Sequence, residues 1–173
     1  MGLQMSDKSF QAFVPDESNT RLLRDAFGRF ATGITIVTAA TAEGVVAITA
    51  SSFSSVSLTP PMVLWSPDRN SRRFPHFERA DHYAIHVLAA EQDDLCFRVA
   101  KDAGGLRGLD LACNAEGVPV LDGCLARFEC SRRAVYDGGD HAIVLGVVNR
   151  AEMRDGGEAL TFFKGQLGRI SAH

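Results

Sequence analysis

The chain has 173 residues, 46% hydrophobic and 23% charged, the balance of one soluble globular domain rather than a disordered or fibrous chain. A formal net charge of −3 offers no basic surface for nucleic acid, and no apolar run reaches the length of a membrane span. Met1–Ser18 is polar and lacks the apolar core of a signal peptide, so residues 1–18 are expected to form a flexible arm and residues 19–173 a single cytoplasmic domain.

Asn19 or Thr20 can cap a helix running to Phe30, in which Leu23, Ala26 or Phe27, and Phe30 recur at helical spacing. Gly33 opens a β run, Ile34–Thr38, and the turn Thr41-Ala-Glu-Gly44 leads into Val45–Thr49, predicting a hairpin. A dense row of hydroxyls follows, Thr49-Ala-Ser-Ser-Phe-Ser-Ser-Val-Ser-Leu-Thr59, broken by Pro60-Pro61. Met62–Ser66 reads as a buried strand, Pro67–Arg73 as a polar, basic loop, Phe74–Arg79 as a short helix and His82–Leu88 as another strand. Glu91–Lys101 is helical, with Leu95, Cys96 and Val99 on one face, and Ala103–Ala115 is Gly-rich and irregular. Leu125–Tyr136 alternates as a long strand, Asp137-Gly-Gly-Asp140 is a tight connection, and His141–Asn149 is the partner strand. Gly156-Gly157 turns the chain before a short apolar piece, Leu160–Phe163. Many short strands with few helices predict a closed or nearly closed barrel rather than a doubly wound sheet.

Several chemistries find no template here. Cys96, Cys113, Cys124 and Cys130 form no Cys-x-x-Cys pair and read as free thiols. His82 and His86 lie on a strand-like segment, where four residues span roughly 13 Å, so they cannot share a metal ion. No Gly-x-Ser-x-Gly elbow or His-Glu-x-x-His pair is present. Gly28–Gly33 has the glycine spacing of a phosphate loop, but Ile34 stands where its lysine belongs. Gly104–Gly108 is not a dinucleotide fingerprint, because its third residue is Leu106.

The Ser-rich stretch carries positive information. Small residues between two strands let a ligand approach the backbone, and each hydroxyl adds one donor and two acceptor lone pairs. Thr49, Ala50, Ser52, Phe53, Ser55, Val56, Ser57, Leu58, Pro60 and Pro61 match the Thr-Ala-Asn-Ser-Phe-x-Ser-Val-Ser-Leu-x-Pro-Pro signature of the short-chain flavin reductases. Phe27–Thr38 resembles that family's opening helix and first strand, and Gly139-Asp-His141 its late signature. Together these segments cover roughly residues 22–168 in the family's order. Ser51 departs, since the family usually has Asn there; serine keeps a hydroxyl but loses the amide's paired donor and acceptor.

The resemblance implies a mainly β fold, a six-stranded antiparallel split β-barrel (the FMN-binding split barrel) with a few flanking helices. It implies an NAD(P)H:flavin oxidoreductase that passes hydride from NADH or NADPH to FMN or FAD. Such enzymes are commonly homodimers and supply reduced flavin to a separate monooxygenase component. Thr49, Ala50, Ser51 and Ser52 would face the flavin ring edge, and Ser55 and Val56 would continue towards the phosphate. Phe53 and Val56 would contribute side-chain packing. Ser66, Asn70, Ser71 and one of Arg72 and Arg73, with Arg72 taken, would hold the phosphate, since a guanidinium fork matches its oxygens; Lys101 is a further candidate. Asp140 and His141 would meet the nicotinamide, with His141 orienting it or assisting protonation of reduced flavin. A flavin-binding or flavin-sensing protein without turnover would use the same cradle. An oxidase of the pyridoxamine-phosphate type shares the barrel but not these signatures.

Overall fold

Runs of β-branched and apolar residues separated by turn chemistry make the chain mainly β. The computed structural model describes residues 10–102 and 104–171. The arm expected over residues 1–18 lies outside the described residues as far as residue 9, and residues 10–19 form neither helix nor strand. In chain order the elements are α1 (Thr20–Phe27), β1 (Thr32–Gly33), β2 (Thr35–Thr41), β3 (Gly44–Ala50), β4 (Ser54–Leu58), β5 (Pro61–Trp65), α2 (Phe74–Arg79) and β6 (His82–Val87). After a single 3₁₀ turn come α3 (Asp93–Lys101), β7 (Ala126–Gly138), β8 (His141–Met153), β9 (Ala159–Phe163) and β10 (Gln166–Ile170). The first helix is shorter than the predicted span, stopping at Phe27 before Gly28.

Seven strands form one antiparallel sheet in the order β3-β2-β6-β7-β8-β5-β4, and β1-β9-β10 form a second, smaller sheet. Its two edge strands, β3 and β4, are consecutive in the chain, joined only by Ser51, Ser52 and Phe53. Laid flat, seven strands spaced about 4.8 Å apart would separate those edges by roughly 29 Å. The four Cα steps from Ala50 to Ser54 reach at most about 14 Å. The sheet must therefore curl into a barrel. Six strands, β2, β3, β5, β6, β7 and β8, supply its interior cluster, as the resemblance implies. The Ser54–Leu58 segment, read from sequence as part of a hydroxyl-rich loop, is a seventh strand hydrogen-bonded to β5 and contributes nothing to that cluster.

The interior centres on Trp65 and Tyr83, both fully buried, with Phe77 of α2 meeting Trp65 edge-on at 5.2 Å between ring centroids. Gly146 on β8 makes room for Tyr83: a Cβ there would collide with the phenol hydroxyl and come within 2.9 Å of Cζ. The β7–β8 hairpin is thirteen residues long on each side, with irregularities at Glu129/Cys130 and Arg132/Ala134 that let it coil with the barrel. Its two-residue turn works because Gly139 adopts φ +78°, a left-handed conformation that only glycine takes without strain.

Outside the barrel, α3, β9 and the segment 104–121 bury a second apolar cluster over Ile36 and Ala47. That segment, irregular in sequence, is nevertheless anchored. The Thr38 hydroxyl donates to the Pro119 carbonyl at 2.6 Å, and Asn114 Nδ2 donates to the buried Glu129 carboxylate at 3.1 Å. His86, fully buried, completes the attachment: Nδ1 lies 3.0 Å from the Ile36 carbonyl while Nε2 accepts from the Leu121 N–H at 3.1 Å. Those two partners fix the neutral tautomer with its proton on Nδ1. Burial pushes the imidazole down to about 4, with the Ile36 bond opposing and the nearby Arg127 charge adding to the fall.

Two outcomes follow. Gly146→Ala should destabilise the fold by about 3 kcal/mol in urea unfolding, the upper end of overpacking costs, and Tyr83→Phe in that background should recover part of the loss. An unfolded His titrates near 6.5 and the folded His86 near 4, so the unfolded chain binds the extra proton between those values and stability falls as pH drops through that window. The His86 contribution should amount to on the order of 3 kcal/mol, visible as a flatter stability–pH curve for His86→Gln.

Candidate active site

The closure of the barrel builds the site. The Ala50 carbonyl at the end of β3 accepts from the buried Thr35 hydroxyl at 2.9 Å, which fixes where the linking segment begins. Ser52 Oγ then accepts from the Ser66 N–H at 2.9 Å and donates to the Ser66 carbonyl at 3.3 Å. One serine thus ties the Ser-rich segment to the end of β5, and its hydroxyl is committed to that task. Phe53 stacks on Phe128 with centroids 5.5 Å apart and an interplanar angle of 15°, the packing role expected of it. Val56 differs: it sits at the register shift between Ser55 and Ser57 and is 46% exposed, so its side chain does not pack into the interior. Ser51 and Ser55 are exposed.

The chain leaving β5 runs beside the start of β8. Asp68 bridges His141, the Arg69 N–H donates to the Asp140 carbonyl at 2.9 Å, and the Ala142 N–H donates to the Pro67 carbonyl at 3.0 Å. This pairing gathers Thr49–Ser52, Ser66–Asp68 and His141 around one cleft of about 220 Å³, floored by Ile48 and Trp65. A larger, mostly apolar cleft of about 490 Å³ lies on the other side of Thr49–Ser51. Cys96, Phe97 and Ala100 of α3 and the β9–β10 hairpin, Phe162 and Gly165–Leu167, form its remaining walls. Thr49, Ala50 and Ser51 are therefore a ridge shared by both clefts.

Beyond Ser66 the chain makes a tight turn. Asp68 Oδ1 accepts from the Asn70 N–H at 2.8 Å, and Ser71 Oγ accepts from the Arg73 N–H at 3.3 Å. The two adjacent arginines separate here. Arg73 donates from Nη2 to the Ala100 carbonyl at 3.3 Å; burial pulls its guanidinium below the ordinary arginine value, with Asp102 opposing. Arg72 is exposed and enters no ion pair or side-chain hydrogen bond among the described residues. Because Arg73 draws the turn against the last turn of α3, Lys101 stands at the same end of the site.

His141 is partly exposed, and its Nδ1 lies 2.8 Å from Asp140 Oδ1. That hydrogen bond holds the Asp140 carboxyl below its usual range and leaves His141 Nε2 without a partner among the described residues. Hydroxyls on Ser51 and Ser55, an exposed guanidinium and ammonium on Arg72 and Lys101 without partners among the described residues, and an apolar slot walled by α3 suit a planar heterocycle with a phosphate tail. Pattern reading missed Phe97, Phe162 and Gln166, which line the larger cleft; the signal available was an aromatic residue on the otherwise polar face of α3.

The match to known proteins agrees with this arrangement. Residues 27–171 match the family model described as flavin reductase like domain. The chain is 52% identical over 159 residues to FMN reductase (NADH) SmoA of Agrobacterium fabrum, covering 92% of this chain and 91% of that protein. It is 36% identical over 157 residues to the flavin-dependent monooxygenase reductase subunit HsaB of Rhodococcus jostii, covering 90% and 80%. The solved NADH:FAD oxidoreductase SgcE6 of Streptomyces globisporus, in complex with NAD and FAD fragments, superposes with a TM-score of 0.84 at 32% identity, covering 92% and 98%. A mainly β barrel closed by the Ser-rich segment, with Gly-Asp-His at its rim and a family match over residues 27–171, makes this chain a member of the flavin reductase-like domain family.

Proposed function

We propose that the protein is an NAD(P)H-dependent flavin reductase, passing hydride from a reduced nicotinamide to FMN or FAD. The observation that carries this is the convergence of Thr49–Ser52, Ser66–Asp68 and His141 on one cleft. The relatives named for NADH-dependent FMN and FAD reduction favour NADH as the donor. The HsaB relationship favours delivery of reduced flavin to a separate monooxygenase component.

Flavin, when bound, supplies the redox chemistry by accepting hydride. The chain's own residues bind and orient. Backbone groups of Thr49–Ser52 and the Ser51 hydroxyl face the ring edge, with Phe53 anchoring the segment from behind; Ser55 and Val56 follow along the tail. Asn70, Ser71, Arg72 and Lys101 take the phosphate, and Ser66 holds the two segments in register through Ser52. Asp140 orients His141, which meets the nicotinamide at the cleft mouth. Hydride transfer needs proximity and stacking more than an acid or base.

A homodimer fits the surface. Helix α1 buries none of its residues, and Phe27, Phe30 and Phe97 are 69%, 77% and 60% exposed on a soluble-sized chain. A second copy covering these aromatics would also wall the larger cleft. The four free thiols and the need for a reduced nicotinamide favour the cytoplasm, and no helix among the described residues is long and apolar enough to cross a membrane.

Anaerobic stopped-flow mixing with NADH and FMN or FAD tests this function directly: catalytic bleaching of the oxidised flavin band is expected, and tight flavin binding without bleaching would overturn it. His141→Ala should lower turnover roughly tenfold without abolishing it, with flavin affinity retained. Complete loss of activity in a folded, flavin-binding His141→Ala protein would instead make His141 indispensable to the chemistry. Arg72→Ala should weaken flavin binding by roughly five- to tenfold, read by quenching of flavin fluorescence, whereas Arg73→Ala should chiefly lower thermal stability.

A further inference from the structure

We propose that Arg69 is a positioning residue for nicotinamide binding, clamping the tip of the β7–β8 hairpin so that His141 is presented at the cleft. The proposal rests on the reading of His141 as the nicotinamide-facing residue. Past Val144, the last β8 residue paired with β5, the strand continues to the hairpin tip with only β7 and the short Pro67–Arg69 segment beside it. Arg69 holds that tip from two sides. Its backbone N–H donates to the Asp140 carbonyl at 2.9 Å. Its side chain donates from Nε to the His141 carbonyl at 3.2 Å and from Nη2 to Asp137 Oδ1 at 3.2 Å.

One planar guanidinium thus reaches both strands of the hairpin, Asp137 at the end of β7 and His141 at the start of β8. The plane itself is supported: Arg69 Cζ sits 5.5 Å from the centroid of Phe74, a buried ring at the start of α2. A guanidinium held over an aromatic face loses less freedom on binding than a free side chain would, and its fork geometry cannot be copied by lysine. The ion pair with Asp137 lies at the surface, where the carboxylate is 86% exposed, so it adds little to overall stability. The clamp therefore acts on local geometry. The main-chain bridge between Asp68 and His141 survives its loss, leaving the fold in place and the hairpin tip free to shift.

Steady-state kinetics of Arg69→Gln, Arg69→Lys, His141→Ala and the Arg69→Gln/His141→Ala double variant test the proposal, alongside flavin affinity and thermal midpoint. Arg69→Gln should raise KM for NADH by roughly three- to tenfold, with flavin affinity within about twofold and the midpoint nearly unchanged. Arg69→Lys, which keeps the charge beside Asp137 but loses the Nε donation, should fall between Gln and the parent. In the His141→Ala background the Arg69→Gln effect should vanish, because a residue that acts through His141 has nothing left to position. An unchanged KM in Arg69→Gln, or the same fold-increase with and without His141, overturns the proposal. His141→Ala with parental kinetics overturns the nicotinamide reading beneath it. Should Arg69→Gln fail to fold, Asp137→Asn removes the other end of the clamp, and its KM for NADH must rise for the proposal to stand.

Discussion

Three residues, Ser51, Ser52 and Phe53, connect the outermost strands of a seven-stranded sheet, and the shortness of that link dictates the rest of the architecture. A sheet whose edges are tethered so closely has to curl, and once curled it encloses Trp65, Tyr83 and Phe77. The tether lies at the seam of the barrel, where backbone is not covered by a neighbouring strand. A ligand can approach main-chain groups there. The seam is also where clefts open on both sides of Thr49–Ser51, so the constraint that closes the fold also creates the ridge the two clefts share.

Much of the polar chemistry near that seam serves structure, and the remainder is left for ligands. The Ser52 hydroxyl is committed to both backbone groups of Ser66, and Arg73 to the end of α3. His86, deep in the protein, stays neutral because burial disfavours the charged ring, while its two backbone partners fix the tautomer. Ser51, Arg72 and Lys101 keep their polar groups at the surface. The same residue types therefore divide into scaffold and site according to what stands next to them. Serine at position 51, in place of the asparagine usual in the family signature, leaves a shorter, exposed side chain on the ridge.

Several large aromatics stay exposed on this fold. Phe27 ends α1 and Phe30 lies just beyond it, both exposed, and none of the helix is buried against the barrel. An amphipathic helix gains most of its stability by packing its apolar face. Phe97 on α3 and Phe162 on β9, both exposed, line the larger cleft.

Local pattern made most of the elements legible. Turn residues at Thr41–Gly44 and Asp137–Asp140 announced the β2–β3 and β7–β8 hairpins, and the apolar run after Pro61 announced the strand that carries Trp65, because turn chemistry and strand alternation depend on immediate neighbours. The Ser-rich and Gly-Asp-His segments stood out through their resemblance to family signatures rather than through local pattern. Sequence could not show that Ser54–Leu58 is itself a strand, since its pairing with β5 supplies the hydrogen bonds that its own composition does not demand. Nor could it distinguish Arg72 from Arg73 or single out Arg69, three nearby arginines of identical chemistry. Contacts made across long stretches of chain, to Ala100, Asp137 and His141, decide among them. The sequence by itself determined most of the strands and which residues could bind a flavin; only the tertiary structure decided that Ser54–Leu58 is also a strand and which of those residues keep their polar groups for a ligand, because a hydrogen-bonding group serves a ligand only when folding has left it without a partner.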